Sequence, residues 1–159
     1  MRVLIVEDNA DHAALLTLGL REHYPSAEIV AADSLAAALA ELNAHFDVVV
    51  FDLGLGDSDG PDGVARVAGL TPAPIVVWTA EARPEVHDRC IDEGAFWVVE
   101  KTEARPVDSV ARAIRFAVRV AARERAAGYS DGEISMIREV RGAVDEAQAS
   151  IGRAIACGV

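Results

Sequence analysis

Short apolar runs alternate with amphipathic stretches along the first ~125 residues. The runs are RVLIV (2–6), AEIVAA (27–32), FDVVVF (46–51), PIVVWT (74–79) and AFWVV (95–99). Each is a short and mostly continuous apolar segment, the pattern of a strand covered on both faces rather than one. Between them lie helical patterns. Residues 10–23 carry Ala14, Leu15, Leu18 and Leu20 on roughly one side, the side expected to face the core. Asp33 and Ser34 offer an N-cap to an Ala/Leu-rich helix reaching about Asn43. Pro61 suits the opening turn of a third helix, Arg83-Pro84 opens a fourth that Gly94 closes, and Pro106 begins a long fifth with no stop signal before Gly128. Five strands alternating with five helices predict an α/β fold: a doubly wound, five-stranded parallel sheet with helices on both faces.

Such sheets bind ligands outside the carboxyl ends of their strands. That rule gathers Glu7 and Asp8 after the first strand, Asp52 after the third, Thr79 ending the fourth and Lys101 after the fifth. Two carboxylates about 4 Å apart repel by roughly 4 kcal/mol at an effective dielectric of about 20. Three acids together therefore call for a bound proton or a cation. An all-oxygen cluster without His or Cys suits Mg²⁺ and disfavours zinc. With a hydroxyl and an ammonium added, the set complements a tetrahedral phosphoryl dianion, and a carboxylate at a strand end can accept that group as an acyl phosphate.

The segments LIVEDN, VVVFDLGLGDSDG, PIVVWTA and GAFWVVEK occur in that order and at compatible spacing. Through them the chain resembles the response-regulator receiver domains of two-component signalling, over residues 1 to about 122. The resemblance implies a flavodoxin-like strand order 2-1-3-4-5 and Asp52 as phosphoacceptor. It implies Mg²⁺ held by Glu7 (through water), Asp8, Asp52 and the backbone carbonyl of Gly54. Thr79, Lys101 and the backbone of Ala80 would bind the phosphoryl group, and a sensor histidine kinase or phosphotransfer protein would supply it. Two positions depart from the family pattern: Thr102 stands where proline is usual, and Val98 where a switch aromatic is usual. Val98, Trp97 and Glu81 are therefore expected to modulate switching or self-dephosphorylation. Of Phe96 and Trp97, alternation points one ring inward and one outward.

Residues 123–159 are expected to form a helical extension. The fifth helix shows a stripe of Val107, Val110, Ile114, Ala117 and Ala121, and a second stripe runs Ile137, Val140, Val144, Ala147, Ile151, Ala154. Ser130 and Glu133 form a capping box ahead of it. A helical hairpin and a homodimer through these helices are the expectation. Arg112, Arg115, Arg119 and Arg123 recur off the apolar stripe and read as a solvated face.

The formal net charge of −11 argues against nucleic acid as a partner. No apolar run approaches the ~20 residues of a membrane span, and acids follow the first apolar run where a signal peptide would stay apolar, so no membrane partner and a cytoplasmic location are expected. Cys90 and Cys157 are read as reduced thiols, His12, His23, His45 and His87 as surface or packing residues, and Asp57 and Asp59 as turn residues.

Three functions compete at this stage. The first is a phosphoacceptor that signals through protein contacts and is not itself an enzyme. The second is a receiver-like dimerisation or docking scaffold that works without phosphorylation. The third is a Mg²⁺-dependent phosphatase of the haloacid-dehalogenase type, which needs a second acid two residues after its aspartate, where this chain has Gly54.

Overall fold

The computed structural model describes residues 1–128 except Ala82, together with Met136. The second apolar stripe, the Ser130–Glu133 capping box and Cys157 lie outside the described residues. Five strands, β1 (Arg2–Val6), β2 (Glu28–Ala32), β3 (Val48–Phe51), β4 (Ile75–Thr79) and β5 (Ala95–Glu100), alternate with α1 (Ala10–His23), α2 (Leu35–Glu41), α3 (Pro61–Ala68), α4 (Pro84–Asp92) and α5 (Pro106–Ala126). All strand pairs are parallel, in the order β2-β1-β3-β4-β5.

The order determines which helices share a face. A parallel crossover is right-handed. The chain moves outward from β1 to β2, then reverses and advances through β3, β4 and β5. The connection through α1 therefore falls on one face and those through α2, α3 and α4 on the other. Strand alternation follows this division. Leu4, Val6, Val49, Phe51, Ile75 and Val77 join the core beneath α2–α4, whereas Val3, Ile5, Val48, Val50, Val76 and Trp78 pack beneath α1 and α5. Each such side chain removed from water contributes about 1.5–3 kcal/mol. Both faces are covered, which is why these segments read as continuous apolar runs.

α1 departs from its expected orientation. Leu16 and Leu20, four residues apart, are buried, while Ala14 is exposed and Leu15 and Leu18 are 52% and 64% exposed. Leu15 stands about 100° around the helix from Leu16. An Ala/Leu-rich helix offers two candidate stripes, and packing against α5 selects Leu16–Leu20. That packing is close. A Cβ on Gly19 would lie 2.4 Å from Cγ1 of Val107, so this helix accepts a glycine in its interior to let α5 approach. The hydroxyl of Tyr24 donates to the carbonyl of Ala111 at 2.6 Å, and His23 Nε2 lies 2.9 Å from Asp108 Oδ1.

The remaining helices begin and end largely as their sequences indicate. Pro61, Pro84 and Pro106 each occupy a first turn, and Gly94 follows α4 with φ +102°. The apolar stripe of α5 is buried at Val110, Ile114, Ala117 and Ala121, and Arg112, Arg115, Arg119 and Arg123 are exposed. α5 runs unbroken past residue 122 to Ala126. Between β4 and β5 the register shifts, pairing Ile75 with Ala95 but Val76 with Trp97. The extra residue, Phe96, turns toward α5, where its ring meets Phe116 with centroids 5.7 Å apart, and Trp97 is left 51% exposed. Asp57 is more than a turn residue: its carboxylate caps α2.

Two stability measurements follow from this packing. Tyr24→Phe removes one buried-end hydrogen bond between α1 and α5 and is expected to cost about 1 kcal/mol in urea unfolding. Cys90 is buried on α4, and burial pushes its thiol up to about 11. Its peptide is therefore expected to resist alkylation by iodoacetamide in mildly alkaline buffer until the protein is unfolded, as read by peptide mass mapping.

Candidate functional site

Sheet register brings the site together. Val6 pairs with Phe51, so the next residues, Glu7 and Asp52, emerge side by side. Phe51 pairs with Val77, and Thr79 with Glu100, which sets Thr79 and Lys101 along the same rim. The amide of Lys101 donates to the carbonyl of Thr79 at 2.7 Å, and that of Asp52 to the carbonyl of Val6 at 2.9 Å, pinning the strand ends together. The rim opens into a cleft of about 630 Å³ lined by Glu7, Asp8, Asp52, Thr79, Lys101 and their neighbours.

The ammonium of Lys101 lies 2.7 Å from Glu7 Oε2 and 2.9 Å from Asp52 Oδ2. Glu7 and Asp52 are both buried, and a buried carboxylate is tolerated only when paired and hydrogen-bonded. Glu7 Oε1 also accepts the amide of Asn9 at 3.3 Å. The Lys101 ammonium sits 4.8 Å from the centroid of the Trp78 ring, whose face adds a weaker cation–π attraction.

Asp8 is exposed at the mouth of the cleft. One carboxylate oxygen from each of Glu7, Asp8 and Asp52 lies within 4.8 Å of the others. Three carboxylates against one ammonium leave two formal negative charges (−3 + 1) in the cluster. An all-oxygen donor set with this residual charge fits a hard divalent cation. Thr79 is 2% exposed, and its Oγ1 accepts the amide of Glu81 at 3.0 Å, which leaves the hydroxyl proton available for a guest in the cleft.

Gly54, Ala80 and Glu81 line the same cleft, whereas Trp97 and Val98 are not among its lining residues. Val98 instead packs half-buried against the core under α2–α4. Glu81 is engaged by Arg83, with Nε to Oε1 and Nη2 to Oε2 both at 2.9 Å. His12, which the sequence alone marks only as a surface or packing residue, lines the cleft, with Nδ1 3.4 Å from both Glu7 Oε1 and Lys101 Nζ. The signal was positional. A residue in the first turn of the helix that follows Glu7 and Asp8 stands over the carboxyl ends of the strands. The ring beside Lys101 is Trp78, which precedes Thr79 on β4 and touches His12 edge-on at 5.8 Å.

Comparison with known proteins agrees with this geometry. The sequence matches the response regulator receiver domain over residues 3–110. It is 32% identical over 157 residues to protein-glutamate methylesterase/protein-glutamine glutaminase 2 of Anaeromyxobacter dehalogenans (strain 2CP-C), covering 97% of this chain and 43% of that protein. It is 35% identical over 141 residues to the transcriptional regulatory protein PdtaR of Mycobacterium tuberculosis (strain ATCC 25618 / H37Rv), covering 87% of this chain and 65% of that one. The chain thus spans less than two thirds of the length of either relative. A response regulator from Burkholderia pseudomallei, solved with a phosphorylated aspartic acid, calcium ion and citrate, superposes with a TM-score of 0.64 at 25% identity, covering 81% of this chain and 75% of that one. The strand order, the rim of acids and lysine, and the sequence match over most of the chain together show that this protein belongs to the response regulator receiver domain family.

Proposed function

We propose that this chain accepts a phosphoryl group on Asp52 from a sensor histidine kinase or a phosphotransfer protein and signals by changing protein contacts. The observation that carries this reading is the buried Glu7–Lys101–Asp52 arrangement at the mouth of one cleft with Asp8 and Thr79. In the transfer, a carboxylate oxygen of Asp52 forms a bond to phosphorus as the phosphorus–nitrogen bond of the donor phosphohistidine breaks, and the departing imidazole takes up a proton. Lys101, placed 2.9 Å from Asp52, neutralises one phosphoryl oxygen, and the Thr79 hydroxyl donates to another. The amide of Ala80, which lines the same cleft, would donate in the same way.

Glu7, Asp8, Asp52 and the carbonyl of Gly54 would hold Mg²⁺, which supplies charge neutralisation on the phosphoryl oxygens when bound. The phosphorylated aspartic acid and calcium ion of the Burkholderia pseudomallei protein support both assignments. Return to the resting state is hydrolysis of the acyl phosphate by water. Small Ala80 leaves space for that water, while the carboxylate of Glu81 is drawn toward Arg83.

Contacts for output are offered on one edge of the sheet. Trp97 on β5 and Phe116 on α5 are both more than half exposed, and Phe96 packs between strand and helix. This surface and residues 123–159 form the proposed homodimer element. Gly54 supplies no acid for leaving-group protonation, which favours a phosphoacceptor over a phosphatase.

Incubation with acetyl phosphate and Mg²⁺ is expected to add one phosphoryl group to the intact mass. Asp52→Asn abolishes it, and excess chelator removes most of it. No mass gain with any small donor contradicts the reading. Beryllofluoride with Mg²⁺ is expected to shift the oligomeric state in sedimentation velocity, and an unchanged distribution argues for a phosphorylation-independent scaffold.

A further inference from the structure

The first turn of α2 draws its caps from two places. A helix leaves its first four amides without partners inside the helix. Here the amide of Ala37 donates to Ser34 Oγ at 3.2 Å, and that of Ala38 to the Ser34 carbonyl at 3.0 Å. The two earlier amides, Leu35 and Ala36, donate to Oδ1 and Oδ2 of Asp57, each at 2.9 Å. Asp57 lies 22 and 21 residues further along the chain, in the loop between β3 and α3.

Its two oxygens thus bridge consecutive amides, and its charge faces the positive end of the helix. The Ala36 amide, then that of Leu35, holds the carboxyl below its ordinary value, so it is fully ionised at neutral pH. α2 has seven residues, far fewer than the ~12–15 at which even strong helix formers become marginally stable alone, so its first turn relies on such outside support.

The same loop carries the phosphoacceptor site. Between Asp52 and Asp57, Leu53 and Leu55 are buried in the core beneath α2–α4, and Gly54 sits between them on the cleft. The loop is therefore fastened at three points: by Asp52 on the end of β3, by two leucines in the core, and by the Asp57 carboxylate on α2. The last of these holds the far end of the loop, three residues beyond Gly54.

We propose that Asp57 is a positioning residue, fastening the phosphoacceptor loop to the start of α2 so that Gly54 and Asp52 are set for a divalent cation. Cation binding in turn firms the first turn of α2, because coupling between two sites is reciprocal. The inference rests on the reading of Gly54 and Asp52 as cation ligands.

The test uses the Trp97→Phe background, which leaves Trp78 beside Lys101 as the one indole of the chain. Mg²⁺ is titrated against Trp78 emission with Asp, Ala or Asn at position 57. Asp57→Ala is expected to weaken Mg²⁺ binding by about fivefold or more. Asp57→Asn retains one acceptor oxygen and is expected to fall between. Hydrogen exchange of the peptide spanning residues 34–42 is expected to slow on Mg²⁺ addition when Asp57 is present and not in Asp57→Ala. Equal Mg²⁺ affinity in all three proteins, with only a lower Tm for Asp57→Ala, overturns the inference and leaves the cation reading intact. If the unsubstituted protein binds no Mg²⁺, the cation reading fails and this inference with it. If Asp57→Ala does not fold, exchange in the unsubstituted protein decides: α2 amides indifferent to Mg²⁺ contradict the proposal.

Discussion

One ammonium group makes the rim of this sheet possible. Glu7 and Asp52 leave neighbouring strands at the same level, both buried, and in the absence of a countercharge their mutual repulsion and desolvation would go unopposed. Lys101 reaches both, at 2.7 and 2.9 Å. Its backbone is held in turn by the Thr79 carbonyl and its side chain by the face of Trp78. The lysine is thus fixed from β4, from β1 and from β3 at once. Removing it would leave two uncompensated buried charges, a far larger penalty than the net worth of the bridges themselves.

The sheet supplies this arrangement without special local structure. Parallel strands in the order β2-β1-β3-β4-β5 end at one rim, and the reversal at β1 opens a crevice there because the neighbouring crossovers leave on opposite faces. The apolar residues that cover both faces keep the strand ends in register. The polar residues at those ends are brought together by pairing in the sheet rather than by proximity in sequence: Lys101 and Glu7 are 94 residues apart. The loop after β3 adds a longer-range element, since its Asp57 caps the start of α2 and its leucines anchor beneath α2–α4. Site and helix are thereby joined through one loop.

Much of this was legible in the sequence. Continuous apolar runs identify strands buried on two faces, and a polar residue immediately after such a run must lie at the carboxyl rim. That logic places Glu7, Asp8, Asp52, Thr79 and Lys101 in one cleft. Three features were not legible, each for a physical reason. In α1 the leucines at 15, 16, 18 and 20 permit two apolar stripes, and only the approach of α5 to Gly19 decides between them. At Phe96 a shift in strand register breaks the alternation, so which aromatic is covered depends on the partner strand rather than on the run itself. His12 and Asp57 act across the fold, and their partners are fixed only once the chain is closed: Lys101 for the one, the α2 amides for the other.

We propose that the Lys101 ammonium balances Glu7 and Asp52 at rest and turns to a phosphoryl group once Asp52 carries one. A crystal structure with Mg²⁺ and beryllofluoride tests it directly. The expected result is a fluoroberyllate bonded to the Asp52 carboxylate, with Lys101 Nζ and Thr79 Oγ1 each in contact with a fluorine. An unmodified Asp52, or a Lys101 that keeps its bridges to both acids while the analogue binds elsewhere, would contradict it.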